Sequence, residues 1–166
     1  MKYAHGEVLK VLPLLAPVDL GASTSASSYI DMNMAASIIE FEVNFGAMTS
    51  TDTTQGVTVT VEGSTTGAAT DTNTAMAFQY QLSAAVDTDS MGAVSAATST
   101  GILVDTTEDV STLLVYVDPS VVAAAAAGDR WVRIGLDPGA AVSASIVSVV
   151  ARYIPRYAQA SQPSST

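Results

Sequence analysis

The stretch SIIEFEVNF, Ser37–Phe45, alternates without a break: Ile39, Phe41, Val43 and Phe45 take every second position, and Glu40, Glu42 and Asn44 take those between. Successive side chains of an extended chain leave on opposite sides, so this spacing makes one apolar and one polar face. A helix, turning about 100° per residue, would scatter both sets around its surface. The segment therefore predicts a half-buried strand.

The same period recurs outward along the chain. In GVTVTVEGS, 56–64, Val57, Val59 and Val61 point in while Thr58, Thr60 and Glu62 point out. AMAFQYQLS, 75–83, sets Met76, Phe78, Tyr80 and Leu82 against Gln79 and Gln81, and WVRIGLD, 131–137, sets Val132, Ile134 and Leu136 against Arg133 and Asp137. TLLVYVD, 112–118, and SASIVSVVARYI, 143–154, are apolar on both faces at their centres. They read as interior strands of a sheet or as strands that a partner covers. Fainter candidates run from Glu7 to Leu12, Ser28 to Met32 and Gly101 to Asp105.

Loops of Thr, Ser, Gly, Asp and Asn are expected over 46–55, 64–74 and 87–100. Alternating strands joined by polar loops, with no amphipathic helix between them, predict an all-β fold: an antiparallel β-sandwich or jelly roll of about eight strands. One short helix is expected over 118–128. Asp118 can cap it, Pro119 can open it and Gly128 can end it. The expected organisation is an extended N-terminal arm over 1–20, with Pro13 and Pro17 forbidding a helix, one β-sandwich domain over 21–157 and a polar C-terminal tail over 158–166.

Composition narrows the chemistry. Six Lys and Arg against sixteen Asp and Glu leave a net charge of -10, which disfavours a broad grip on nucleic acid or an anionic membrane surface. Only 13% of residues are charged while Ser and Thr number 38, so uncharged hydroxyls cover much of the surface. With no cysteine there are neither disulfides nor thiolate metal sites. The apolar run Val11–Val18 is broken by two prolines and follows Glu7, so it is not expected to act as a secretory leader, and no segment approaches the ~20 apolar residues of a membrane-spanning helix.

No catalytic or metal-binding residue is assigned. The one histidine is His5, near the N-terminus. Glu40 with Glu42, and Asp87 with Asp89, stand at strand spacing that turns each pair to one side, as in two-carboxylate hydrolases, but the first fits a solvated strand face and the second a turn. The segments DTDS, 87–90, and TTED, 106–109, offer oxygen ligands without the spacing of a calcium loop, and no glycine-rich phosphate motif occurs. The chain is not expected to be an enzyme or to hold a cofactor.

Trp131, the only tryptophan, stands between Arg130 and Arg133, and the chain closes with Arg152, Tyr153, Arg156 and Tyr157. In extended geometry Arg152 and Arg156 share one side and the two tyrosines the other, with Pro155 where pairing ends or an edge begins. These seven residues are the expected partner contacts: arginines for carboxylates, aromatics for rigid contact area.

An extended LKVLPLLAPVDLGAS, 9–23, leads to YIDMNMAASIIEFEVNFG, 29–46, and VTVTVEGS, 57–64; after a polar middle comes WVRIGLDPGAAVSASIVSVVARYIPRY, 131–157. This order, with its closing Arg-Tyr-Ile-Pro-Arg-Tyr, resembles the small β-rich decoration, or cement, proteins of tailed-bacteriophage heads. The resemblance implies a structural virion protein on the capsid exterior, assembled in the host cytoplasm. Such a protein binds the major capsid protein at threefold or quasi-threefold positions as a homo-oligomer, a trimer, and clamps neighbouring subunits. The competing expectation is a carbohydrate- or receptor-binding module on a virion or cell surface, head-fibre or adhesin-like, motivated by Trp131, Tyr29, Tyr80 and the polar loops.

Overall fold

The computed structural model describes residues 9–68, 70–84, 90–108, 110–120 and 128–156. These residues form two antiparallel six-stranded sheets packed face to face, the all-β sandwich that the alternation predicts. In chain order the strands are β1 (Lys10–Asp19), β2 (Ser25–Ala26), β3 (Ile30–Asp31), β4 (Ile39–Ser50), β5 (Gly56–Ser64), β6 (Thr74–Met76), β7 (Phe78–Leu82), β8 (Ser95–Ala97), β9 (Ile102–Asp105), β10 (Thr112–Val117), β11 (Trp131–Pro138) and β12 (Val142–Tyr153). Sheet A runs β1-β12-β4-β10-β7-β8. Sheet B runs β2-β11-β5-β6, with β3 also on β11 and β9 also on β5.

The core lies between the sheets and is made by the apolar halves of the alternating strands. Ile39, Phe41, Val43, Leu113, Val115, Val147 and Val149 from sheet A face Val57, Val59, Val104, Val132 and Ile134 from sheet B, all fully buried. Removing a large member of such a core costs about 3–5 kcal/mol, because the lost transfer energy is joined by the cavity left behind. The two segments read as apolar on both faces are interior strands of sheet A: β10 pairs with β4 and β7, and β12 with β1 and β4.

Three expectations change at their boundaries. The loop expected over 46–55 is strand as far as Ser50. A register shift where β12 passes from Ser145 to Val147 moves the buried position of β4 from Phe45 to Met48, so the period loses its phase at Gly46 although pairing continues. AMAFQYQLS, a single strand by its pattern, is divided at Ala77: β6 pairs with β5 in sheet B and β7 with β10 in sheet A. Met76 and Phe78 both reach the core, from opposite sheets, which keeps the period intact across the crossing.

Residues 10–19, placed by sequence in a reaching arm, are extended but lie along β12 of the same chain as the edge strand β1. Leu12 and Leu14 bury themselves there, which gives these side chains their apolar cover within the domain. Two register shifts and Pro13 and Pro17 interrupt this edge, so it is a poor template for another strand. The short helix expected over 118–128 falls mostly on 121–127, outside the described residues. At its flanks Asp118 Oδ1 accepts from the Ser120 amide at 2.8 Å, and Gly128 takes φ +99°.

Candidate functional site

The outward row of β11 is Trp131, Arg133, Gly135 and Asp137, the polar half of its alternation. Register sets these beside Ser64, Glu62, Thr60 and Thr58 of β5. Arg133 Nε donates to Glu62 Oε2 at 2.8 Å, and its guanidinium lies 4.7 Å from the centre of the Tyr29 ring. The Tyr29 hydroxyl donates to Asn73 Oδ1, and burial, with the Glu62 and Asp71 carboxylates, pushes its pKa up against the opposing Arg133 charge.

Arg130 binds Asp31 through Nε to Oδ1 at 3.0 Å and through Nη2 to Oδ2, and it lies 5.7 Å from the centre of the Trp131 ring. Burial opposes ionisation of Asp31, but the Arg130 hydrogen bonds and the Asn33 amide outweigh it and hold the carboxyl below its ordinary range. Trp131 is half-buried. A Cβ on Gly67, which sits at φ +72°, would come within 2.6 Å of the indole, so the tryptophan packs on the bare backbone of the 64–74 loop. That loop is tied down by Asp71, whose Oδ2 accepts from the Ser64 hydroxyl at 2.5 Å and the Thr66 amide at 3.1 Å. These bonds lower its pKa to about 2.

The outer face of sheet A carries a second constellation. Arg152 of β12 stands opposite Glu40 of β4, donates through Nη1 to Glu40 Oε1 at 3.2 Å, and pairs through Nη2 with Glu42 Oε2. Glu42 Oε1 accepts from Asn44 Nδ2 at 2.8 Å, and Asn44 Oδ1 accepts from the Thr112 hydroxyl at 2.8 Å. Beyond them Tyr116 donates to Gln81 Oε1 at 2.5 Å, and Gln81 Nε2 to the Gly92 carbonyl at 2.8 Å. Val11 and Ile146 stand exposed on the same face.

The seven expected contacts thus divide. Arg130, Trp131 and Arg133 come together on sheet B, with their guanidinium groups already on Asp31 and Glu62. Arg152, expected to meet a neighbour's carboxylates, meets Glu40 and Glu42 of its own chain, at side-chain exposure of 35%. Tyr153, expected as exposed contact area, is 1% exposed and belongs to the core. Because β12 is an interior strand, its inward side chains face sheet B and leave no surface to offer. Its hydroxyl has no hydrogen-bond partner among the described residues, and burial together with the nearby Asp31 charge raises its pKa. Arg156 is exposed, and its amide donates to the Met34 carbonyl at 2.8 Å. With Ala36 donating to the Ile154 carbonyl, backbone pairing continues on both sides of Pro155. Tyr157 lies outside the described residues.

Sequence reasoning missed Asp31, and it named Tyr29 without its place against Arg133; they sit 99 residues from Arg130 and 104 from Arg133 in the chain. No local signal joins them. Of the other aromatic candidates, Tyr80 packs against the core in sheet A, edge-on to Phe78 at 6.3 Å. Glu40 and Glu42 do share a face, with Arg152 between them. His5, Asp87, Asp89 and Asp109 lie outside the described residues. Among the described residues no three His, Asp or Glu side chains gather to hold a metal, and no helix is long and apolar enough to cross a membrane. No family model, no curated protein and no solved structure matches this chain.

Proposed function

We propose that the protein is a capsid decoration protein that binds the outside of a phage head as a homotrimer and stabilises contacts between major capsid subunits. The observation that carries this reading is the outer face of sheet A. Its guanidinium is shared by two glutamates in place, a further carboxylate, Asp19, stands at the β1 edge opposite Ile146, and Val11, Ile146, Val150, Leu114, Tyr116 and Gln81 are apolar or uncharged. Interface centres are depleted of unpaired charge and enriched in aromatic and aliphatic contact area, and this face has that make-up. The strand order and the closing Arg-Tyr-Ile-Pro-Arg-Tyr support the same reading by their resemblance to head decoration proteins.

The test is binding to purified capsids that lack the protein, read by co-sedimentation and by the temperature at which the shell releases DNA. The full chain should bind and raise that temperature, and light scattering of the free protein should give a trimer. Ile146→Glu with Val11→Glu should abolish binding without changing circular dichroism. A monomer that leaves the shells untouched at every salt concentration overturns the reading.

A further inference from the structure

The outer face of sheet B is independent of that surface and is concave. Two adjoining depressions of about 440 and 460 Å³ share Ala26 and Arg133, each within the ordinary size range of small-ligand sites. Beneath them β11 has no side chain at Gly135, and Thr60 Oγ1 and Glu62 Oε1 lean in over that bare backbone. A Cβ there would come within 2.5 Å of Thr60 Oγ1 and 2.6 Å of Glu62 Oε1, and Ala26 is its partner on the other side. One end is aromatic, with Tyr29 and Trp131; the other is lined by Thr58, Thr60, Thr100 and Asp137.

From this we infer that the groove on sheet B binds a neutral oligosaccharide. At its centre Arg133 and Glu62 are fixed side by side, at side-chain exposures of 16% and 23%, by their mutual bond and the Tyr29 ring. That bond uses Nε and Oε2. Among the described residues the Arg133 terminal amines and Glu62 Oε1 have no hydrogen-bond partner, so a planar donor pair and an acceptor face the groove together. A sugar's vicinal hydroxyls, each a donor and an acceptor, match such a pair, while its C–H face suits the aromatic end. The guanidinium is neutralised by Glu62 and Asp137 adds a negative charge, so a phosphorylated or otherwise anionic ligand is opposed. Threonine hydroxyls along the wall extend the match to further sugar units.

The full chain is titrated with hexasaccharides of α-glucan, β-glucan, β-mannan and chitin, and with sialyllactose as an anionic probe, while backbone amide NMR is followed. At least one neutral probe should move the amides of Thr60, Glu62, Arg133 and Gly135 saturably at millimolar concentration. Gly135→Val, which pushes the Thr60 and Glu62 side chains out of place, should weaken binding about tenfold or more. If that variant does not fold, Thr60→Val removes a hydroxyl at nearly constant shape and should weaken binding about threefold or more. The inference is overturned if no neutral probe gives saturable shifts at the groove, if shifts appear on sheet A instead, if sialyllactose binds best, or if the folded variant binds unchanged.

Discussion

The guanidinium of Arg152 lies 3.2 Å from Glu40 across the β12–β4 pair and reaches Glu42 with its other amine, so one cation on an interior strand serves two carboxylates two residues apart. Arg152→Ala leaves those carboxylates neighbouring each other without their counter-charge. At this half-exposed site the expected loss is about 1 kcal/mol, smaller at high salt, with Arg152→Lys recovering part of it. Urea denaturation at low and high ionic strength measures it. A salt-independent loss would mean that the arginine stabilises by packing its stem, not by its charge.

Tyr153 separates ring from hydroxyl. Its ring fills the core while its buried hydroxyl lacks a partner among the described residues. Tyr153→Phe removes a polar group already desolvated and is expected to be neutral or to stabilise by up to ~1 kcal/mol. Tyr153→Ala opens a cavity and should cost about 3–5 kcal/mol. Thermal unfolding of the two variants is the measurement, and a strongly destabilised phenylalanine variant would contradict the unpartnered hydroxyl.

Gly67 is required by its φ of +72° and by the indole it touches. Gly67→Ala should cost about 1–2 kcal/mol from the left-handed backbone alone, and more from contact with Trp131. Because Trp131 is the only tryptophan, the displacement is directly visible as a red shift and loss of polarisation in fluorescence. Unchanged emission would mean that the ring does not rest on this backbone.

Asp71 supplies an acid-side dependence. Hydrogen bonds from Ser64 and Thr66 favour its charged form, lowering its pKa from 3.8 to about 2 in the folded chain. The unfolded state therefore binds more protons between these values, so this group's stabilisation is full above pH 3.8 and is lost as pH falls toward about 2. Asp31, also depressed, acts in the same direction. Asp71→Asn should flatten the melting temperature across that interval, and carboxyl NMR titration should place the wild-type midpoint near the lower value. A midpoint near the ordinary one would remove the Ser64–Thr66 contacts from the account.

The alternating strands were legible because burial of one face of an extended chain demands period two, a local constraint written in adjacent residues. Ser37–Phe45, Gly56–Ser64 and Trp131–Asp137 carried enough of it to predict two opposed sheets and to name their inward side chains correctly. Period two says which side of a strand is buried. It does not say which strand lies beside it, and every further feature of the candidate faces depends on that neighbour. Ala77 passes the chain from one sheet to the other without disturbing the pattern. Arg152 finds Glu40 and Glu42, and Arg130 finds Asp31, only because antiparallel pairing sets residues about a hundred positions apart side by side. Gly135 admits the Thr60 and Glu62 side chains over its bare backbone only because pairing sets β5 beside β11. Sequence alone determined an all-β sandwich and the inward side of its alternating strands; tertiary pairing decided that Arg130, Arg133 and Arg152 are satisfied within the chain, that Tyr153 belongs to the core, and that sheet B carries depressions on its outer face, because charge satisfaction and surface shape are set by contacts across strands and not by spacing along one.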